Sequence, residues 1–333
     1  EETIIAVSQK AQSCLDLALG RGGDQAVLAI DGVTQFFGGK TIALEKNTRV
    51  RSRIVAQSLR DLMEEADAIF VMGHTNEDYD SIGATLGVAK MATLLNKPVH
   101  IVFSGRSSSW SKAFSLLPEN NKIEPILYTP AQAETLITPN SILFLIDHHR
   151  PSLSAAPQLL ALTDKKIIID HHRRAEDIVK DCMLIYLEPA SSSSCELVTE
   201  LTFYFSDKPE LSRFEASMLY AGIVLDTKHF INQTGSRTFE AAATLRRSGA
   251  DPALVRQLFS DDLLTTKIRA ELIAQTQSYA GGFLLSVHED VIELEGASIA
   301  IAQAADFLLL TEGATCAIVV ANIDAETTVI SAR

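Results

Sequence analysis

The sequence lacks a long apolar run, a cysteine pair and an excess of positive charge. No uninterrupted apolar stretch reaches the roughly 18 residues that a membrane-spanning helix requires. The four cysteines, Cys14, Cys182, Cys195 and Cys316, are far apart and include no CxxC pair, which favours reduced thiols over a disulfide framework. The net charge of −13 excludes a nonspecific nucleic-acid coat, so we expect no duplex nucleic acid as partner. A phosphate-bearing substrate would have to be met by local cations.

The composition instead indicates a globular protein. With 333 residues, of which 47% are hydrophobic and 21% charged, the chain is long enough for about two domains that each bury a core. It begins at Glu1 and ends at Arg333, just after an apolar segment. We therefore expect an excised piece, with any targeting or membrane segment lying outside it.

Strand-like apolar runs alternate with helical patterns through most of the chain. The runs are AIFVMGH, PVHIVFS, SILFLID and KKIIID, and the helical patterns include Ser81–Leu95 and Ser194–Phe205. Near-continuous apolar strands are buried on both faces, so the fold class is predicted as α/β, with a parallel sheet flanked by helices. After residue 260, FLLSVHE and CAIVVANID around a helix ending in DFLLL predict a second, smaller α/β unit. The serine run 191–194 is the one low-complexity segment.

Carboxylates and imidazoles follow several of these runs at the points where the runs stop. They lie in the loop GHTNEDYDSIG, in two Asp-His-His triplets and at the end of GIVLD. Sites in parallel sheets are built just past the carboxyl ends of the strands. The candidate metal-ligating or neighbouring residues are His74, Asp78, Asp80, Asp147, Asp170, His171, His172 and Asp226.

Taken together, these residue types predict a divalent metal site. Mixed imidazole and carboxylate ligands suit Mn²⁺, Fe²⁺ or Co²⁺, and a shared carboxylate can hold two such ions roughly 3.5–4 Å apart for phosphoryl hydrolysis. Each residue alone has a plainer interpretation, since Asp80 could cap a helix and Asp226 could end a turn. The joint occurrence at one sheet edge favours the metal site.

The motifs resemble those of a known family. GHTNEDYDSIG, the strand-terminal Asp147, IIIDHHRR and GIVLDTKHF resemble, in order, the signature motifs of the DHH phosphoesterases. Further segments, among them GRGGDQAVL, LEPASSSSCELVTEL and DTKHFINQTGSRTFEAAATLRRSGAD, look like the membrane-anchored cyclic di-AMP phosphodiesterases of the DHH/DHHA1 type. The resemblance covers nearly the whole chain.

This resemblance implies a domain organisation. Residues 1–35 would be the tail of a degenerate GGDEF domain, 36–60 a linker, 61–260 the DHH catalytic domain, and 261–333 a partial DHH-associated domain truncated at its C-terminus. Within the tail, the pattern predicts a helix over 4–19, a strand over 26–30 and a turn at 36–39. The sequence contains no GGGH-type glycine-rich loop, so we expect metal binding to survive, while the substrate affinity and the turnover stay open.

The resemblance also implies roles for the site residues. His74 and Asp78 would hold one Mn²⁺, and Asp80, His171 and Asp226 a second, so that each chain binds two ions. Asp147 would bridge the two ions, and Asp170 would orient a histidine. His172 would contact the substrate and stabilise charge at phosphorus. Ser236 and Arg237 are candidate phosphate contacts, although Arg237 could equally pin its own loop. The role of His148, in the first of two Asp-His-His triplets, stays open.

The implied activity is hydrolysis of cyclic di-AMP to the linear dinucleotide 5′-pApA. Two alternatives stay open, a nanoRNase acting on short linear oligonucleotides and a sensor that binds a cyclic dinucleotide without cleaving it. The presence of all six ligands favours the enzyme, but the residues alone do not separate cyclic di-AMP from cyclic di-GMP. The resemblance implies a cytoplasmic catalytic domain, a parent protein anchored in the cell membrane only through segments outside this chain, and a homodimer as an open possibility.

Overall fold

The structure is a computed structural model that describes residues 3–20, 25–30, 33–38, 48–105, 107–119, 123, 126–292 and 297–333. The chain divides into two compact units, Glu1–Leu258 and Phe259–Arg333. The first contains a six-stranded parallel sheet flanked by helices, and the second a smaller sheet with its own helices. The predicted α/β class is therefore confirmed.

The N-terminal segment forms a helix, a hairpin and a second helix. These are α1 (Ile4–Gly20), β1 (Gln25–Ile30), β2 (Val33–Gly38) and α2 (Thr48–Glu65). Strands β1 and β2 pair in antiparallel fashion. The turn predicted at 36–39 is therefore wrong for residues 36–38, which belong to β2. Residues 48–60 of the expected linker are helical. The glycine-rich residues 21–24 and the remainder of that linker, 39–47, lie outside the described residues.

The parallel sheet positions the candidate site. Its strands are β3 (Ile69–Met72), β4 (Val99–Val102), β5 (Leu127–Tyr128), β6 (Ile142–Ile146), β7 (Lys166–Asp170) and β8 (Cys182–Leu187). They run in the order β5-β4-β3-β6-β7-β8, with every neighbouring pair parallel. Every residue of β3, β6 and β7 is buried, which is why their sequences are continuous apolar runs. The carboxyl ends of these three central strands consequently lie side by side.

Helices follow or cover the strands of this unit. They are α3 (Tyr79–Leu94), α4 (Ser108–Ser115), α5 (Pro130–Leu136), α6 (Ser194–Phe205), α7 (Arg213–Asp226), α8 (Ser236–Arg247) and α9 (Pro252–Leu258). Helix α6 has the predicted bounds, and α3 begins two residues before the predicted Ser81. Serine side chains cap the N-termini of α6 and α7, at Ser193 and Ser212, and so fix where these two helices begin.

Two glycines allow α3, α6 and α7 to approach closely. A Cβ on Gly83 would lie 2.5 Å from the Met218 carbonyl oxygen, and one on Gly222 would lie 2.4 Å from Cys195 Sγ and 2.8 Å from Asp80 Cα. Real Cβ atoms do not come this close, so any larger residue would force the helices apart. The spacing brings the end of α7 next to the start of α3.

Over its described residues, the second unit is a small mixed sheet with two helices. Its elements are α10 (Leu263–Ala274), β9 (Gln277–Tyr279), β10 (Phe283–Val291), α11 (Ala297–Leu309), β11 (Cys316–Asn322) and β12 (Thr328–Ala332). Strands run in the order β12-β11-β10-β9, and only the β10–β11 pair is parallel. The core of the unit is formed by apolar residues such as Leu284, Ile301 and Val319. Across the described ranges, no helix combines the length and apolar character needed to cross a bilayer.

Candidate metal centre

Asp147 lies at the centre of the candidate site. It follows β6 directly, with a φ of +62°, a left-handed conformation that Asp tolerates better than most residues. Its side chain is only 3% exposed. The Oδ2 atom is 3.5 Å from His74 Nε2, and the Oδ1 atom is 3.5 Å from His171 Nε2. The carboxylate therefore turns one oxygen towards each of two histidines.

A first group of ligand atoms comes from His74, Asp78 and Asp147. One donor atom from each lies within 4.8 Å of the others. His74 lies in the loop after β3, and its Nε2 is 3.8 Å from Asp78 Oδ1. Asp78 is also the N-cap of α3, because Oδ1 accepts the backbone N–H groups of Asp80 and Ser81 at 2.9 and 3.0 Å. The capping role considered for Asp80 thus belongs to Asp78.

A second group comes from Asp80, His171 and Asp226. Its donor atoms also lie within 4.8 Å of one another. His171 Nε2 is 3.0 Å from Asp226 Oδ2 and 3.8 Å from Asp80 Oδ2. Asp80 is fully buried in the first turn of α3, and Asp226 is the last residue of α7. This group therefore combines one strand end with two helix ends. A third, overlapping group joins Asp147 and His171 to His172.

The electrostatics of these groups fit divalent cations. Burial and the neighbouring Asp147 and Asp226 raise the pKa of Asp80 well above its usual value. His171 Nε2 is buried and lacks a hydrogen bond of acceptable geometry, despite its closeness to Asp226. A buried ring nitrogen that lies 3.0–3.8 Å from the oxygens of three carboxylates is the arrangement that a metal ion would satisfy. The donor set of imidazole and carboxylate suits Mn²⁺, Fe²⁺ or Co²⁺.

His74 and His171, the histidines of the first two groups, have raised pKa values. Burial lowers the pKa of His74, but hydrogen bonding and attraction to Asp147 and Asp78 outweigh it and raise that pKa to about 10. Burial likewise opposes the shift of His171, whose pKa is raised to about 10 by Asp226, Asp80 and Asp147. Without a metal, each ring therefore carries a proton that offsets part of the negative charge.

Asp170 orients two histidines at the end of β7. Its Oδ2 accepts from His149 Nδ1 at 2.5 Å, and its Oδ1 accepts from His172 Nδ1 at 2.8 Å. Because His149 Nε2 accepts the N–H of Ala175, the His149 proton is on Nδ1. Burial raises the pKa of Asp170, but hydrogen bonds from His149 and His172 hold it far below its usual value. Asp170 is therefore an anchored anion that fixes both rings.

A comparison with protein families matches the segment that contains most of these residues. Residues 68–223 match the DHH family, N-terminal domain. The matched segment amounts to a little under half of the chain. Five of the six candidate ligands lie inside the matched segment, and Asp226 lies three residues beyond its end. The match thus covers β3 through most of α7.

Two curated relatives resemble the matched segment and its flanks. The chain is 40% identical over 324 residues to the cyclic-di-AMP phosphodiesterase PdeA of Listeria monocytogenes, an alignment that covers 96% of this chain and 49% of that protein. It is 39% identical over 327 residues to the cyclic-di-AMP phosphodiesterase GdpP of Bacillus subtilis, covering 97% and 50%. The chain spans about half the length of these relatives.

A solved structure shares the fold. The crystal structure of an exopolyphosphatase-related protein from Bacteroides fragilis matches with a TM-score of 0.70 and 19% sequence identity, covering 83% of each chain. At this identity the likeness concerns the fold, not the chemistry.

The first Asp-His-His triplet contributes to the candidate site differently from the second. His148 Nδ1 donates to the Ile146 carbonyl oxygen at 2.9 Å, and its Nε2 lies 3.0 Å from Ser154 Oγ. Burial lowers the pKa of His148 to about 4, so the ring is neutral and Nε2 accepts from Ser154. Ser154 in turn forms a β-bridge with His74. His148 therefore supports the loop beside His74, which answers the question that the sequence left open.

The two residues proposed as phosphate contacts lie at the start of α8. Arg237 is buried, and its Nε and Nη2 donate to Glu200 at 2.8 and 2.7 Å. This bidentate pair favours the pinning role that the sequence left open. Ser236 is exposed on the first turn of α8.

Two backbone N–H groups at the start of α6 hold Asp80, a contact that the motifs do not predict. The backbone N–H of Ser194 donates to Asp80 Oδ2 at 2.7 Å, and that of Cys195 donates to Oδ1 at 2.8 Å. The N-terminus of α6 thus binds the Asp80 carboxylate through two backbone N–H groups, as helix N-termini bind anions. The sequence signal was the serine run at the start of this helix.

Proposed function

We propose that this DHH domain is a manganese-dependent phosphodiesterase that hydrolyses cyclic di-AMP to 5′-pApA. The observation that carries the proposal is the position of Asp147, whose two oxygens face two separate groups of metal-ligating atoms. A shared carboxylate between two such groups is typical of two-metal phosphoryl hydrolysis. The names of the two relatives support cyclic di-AMP as the substrate.

In this proposal each chain holds two Mn²⁺ ions. His74 and Asp78 would hold one, Asp80, His171 and Asp226 the other, and Asp147 would bridge them. Ions held there would supply positive charge for the phosphodiester and Lewis-acid activation of a water nucleophile. The residues offer two imidazoles and four carboxylates as ligands. Because Asp80 and Asp147 are buried, bulk water screens the attraction between their carboxylates and the ions less than it would at the surface.

His172 is the proposed substrate contact. Its side chain is 57% exposed, and Asp170 holds its Nδ1, so Nε2 is the nitrogen that a substrate phosphate could reach. The hydrogen bond to Asp170 raises the pKa of His172, with burial opposing the shift. A ring that is held in place and more easily protonated can donate to a phosphate oxygen as negative charge develops. Ser236 is a further proposed contact.

The test is turnover of cyclic di-AMP by the purified chain in added Mn²⁺, with products separated by liquid chromatography and mass spectrometry. Accumulation of pApA is the expected result. Faster attack on pApA than on cyclic di-AMP, with AMP as the end product, would favour the nanoRNase instead. Binding without turnover would favour the sensor, or indicate that the absent GGGH-type loop is needed.

We further propose a setting for this enzyme, supported by the family resemblance alone. The catalytic domain would act in the cytoplasm as part of a membrane-anchored parent protein, and residues 1–35 would be the tail of a degenerate GGDEF domain. A homodimer is proposed on the same basis. Light scattering on the purified chain tests the dimer, and fractionation of cells that produce the full-length parent tests the anchoring.

A further inference from the structure

The serine run 191–194 is buried and every hydroxyl in it has a defined partner. The four residues are at most 2% exposed. Ser191 Oγ donates to the Ser193 carbonyl oxygen, Ser192 Oγ donates to Glu196, and Ser193 Oγ caps α6 by accepting the Glu196 N–H. A surface linker of serines would instead be solvated. The run is therefore a packed structural element.

Ser194 differs from the other three because it contacts the candidate metal centre. Its Oγ donates to Asp147 Oδ1 at 2.9 Å, while its backbone N–H donates to Asp80 Oδ2 at 2.7 Å. One residue thus touches two buried carboxylates that belong to different segments of the chain. Because Ser194 begins a twelve-residue helix, both donors are held on a rigid element.

We propose that Ser194 is a positioning residue that sets the affinity for the second metal ion, the one assigned to Asp80, His171 and Asp226. This inference rests on the proposed two-metal function. Both Ser194 contacts are on the side of that ion, since Asp147 Oδ1 faces His171 and Asp80 is itself one of the ligands. The contacts of Asp147 Oδ2 and His74, on the side of the first ion, do not involve Ser194.

The physical reason is the left-handed backbone of Asp147. Asp147 lies just past the end of β6, and its backbone N–H still donates to the Ile169 carbonyl oxygen of β7 at 3.0 Å. Its φ of +62° departs from strand geometry, however, so the alternation of side chains along a strand does not determine where its carboxylate points. The Ser194 hydroxyl supplies a fixed donor to Oδ1 and also reduces the repulsion between this carboxylate and Asp80. Outer contacts of this kind orient ligating carboxylates, and their loss typically weakens metal binding roughly 10- to 100-fold.

The test compares Mn²⁺ binding by the wild type, Ser194→Ala and Ser191→Ala. The last is a matched control, because it removes an equally buried hydroxyl from the same run that bonds only to backbone. Bound Mn²⁺ is counted by electron paramagnetic resonance and affinities are measured by calorimetry. We expect Ser194→Ala to weaken the second ion roughly 10- to 100-fold and to replace a spin-coupled dimanganese spectrum with a mononuclear one. Ser191→Ala should still bind two ions.

A combined variant identifies which ion is affected. His74→Ala removes a ligand of the first ion, so Ser194→Ala together with His74→Ala should bind essentially no Mn²⁺ at concentrations that saturate the wild type. Two ions bound by Ser194→Ala with wild-type affinities would overturn the inference. Equal weakening of both ions, or an equal loss in Ser191→Ala, would also overturn it, because the effect would then be general to the fold.

Two further measurements keep the inference falsifiable. If Ser194→Ala does not fold, Ser194→Cys preserves the volume and offers only a weak donor, so it should weaken the second ion selectively but less. Unchanged binding by Ser194→Cys would then contradict the inference. Absence of Mn²⁺ from the wild type would overturn the proposed function itself, whereas two ions in both wild type and variant would overturn only the role of Ser194.

Discussion

The guanidinium of Arg237 binds the carboxylate of Glu200 through two hydrogen bonds, of 2.8 and 2.7 Å. Both side chains are largely buried, at 6% and 13% exposure, and Glu200 also accepts from Ser52 on α2. The pair therefore connects α8, α6 and α2. A guanidinium committed in this way is poorly suited to binding a substrate phosphate as well.

The first prediction concerns this ion pair. Arg237→Met leaves Glu200 buried and unpaired, and we expect the free energy of unfolding to fall by about 3–5 kcal/mol. Urea denaturation measures this change. The control is Arg213→Met, which removes the exposed partner of another ion pair and should change stability little. Unchanged stability of Arg237→Met together with a raised KM for cyclic di-AMP would instead support the substrate role.

The second prediction concerns Asp147. Asp147→Asn keeps the side-chain volume and a residue type that tolerates the left-handed backbone, but it removes the bridging charge. We expect Mn²⁺ binding and turnover to fall by more than the roughly 100-fold upper range for an outer-shell residue. Circular dichroism should show the metal-free variant folded, since it loses one of several buried carboxylates that repel one another. Asp164→Asn, at an exposed position, is the control. Retained turnover in Asp147→Asn would contradict the bridging role.

The third prediction concerns the approach of α7 to α3. Gly222→Ala would place a Cβ against Cys195 Sγ and Asp80 Cα, so we expect a loss of about 1–3 kcal/mol in stability and weaker binding of the second ion. Gly87→Ala is the control, because its Cβ would meet side-chain carbons, Val198 Cγ1 at 2.4 Å and Leu219 Cδ2 at 3.2 Å, so that its cost falls on apolar packing and not on a candidate ligand. Denaturation and Mn²⁺ calorimetry distinguish the two. Equal effects of both substitutions would show that the approach at Asp80 is not special.

The fourth prediction concerns the pH dependence of Mn²⁺ binding. In the metal-free protein the pKa values of His74 and His171 are raised to about 10, so both rings are protonated at neutral pH. Metal ligation requires neutral imidazole, so binding must release these protons and the apparent Mn²⁺ affinity should rise between about pH 6 and pH 9. Calorimetry in buffers of different ionisation enthalpy counts the protons. His74→Asn should release about one proton fewer, and an affinity independent of pH would rule out protonated ligands.

Much of the fold could be predicted because the pattern of apolar residues in a short segment reflects whether that segment is buried. The strands β3, β6 and β7 are buried on both faces, so their sequences carry continuous apolar runs. Helix α10 was not predicted, because the segment after residue 260 is rich in charged residues. Only Leu272 of this helix is fully buried, so its pattern of apolar residues at helical spacing is weak. The strand from Val33 to Gly38 ends in Gly, which favoured a turn and hid the hairpin.

The candidate ligands were also singled out from the sequence, and the structure brings all six together in two groups. Their occupation by metal ions stays a prediction. They could be found because ligands follow apolar runs directly, in motifs only a few residues long. Ser194 and Glu200 could not be found in this way, since their partners Asp147 and Arg237 are remote in sequence.

The sequence by itself determined the elements and the chemical types of donor at their ends, because burial and local spacing are properties of short segments. Only the tertiary structure decided which donors meet. Both Asp-His-His triplets offer the same groups, yet His171 faces carboxylates while His148 and His149 are saturated by Ser154, Asp170 and backbone groups. The physical reason is that a side chain's role depends on what lies within hydrogen-bonding distance, which packing sets across the whole domain.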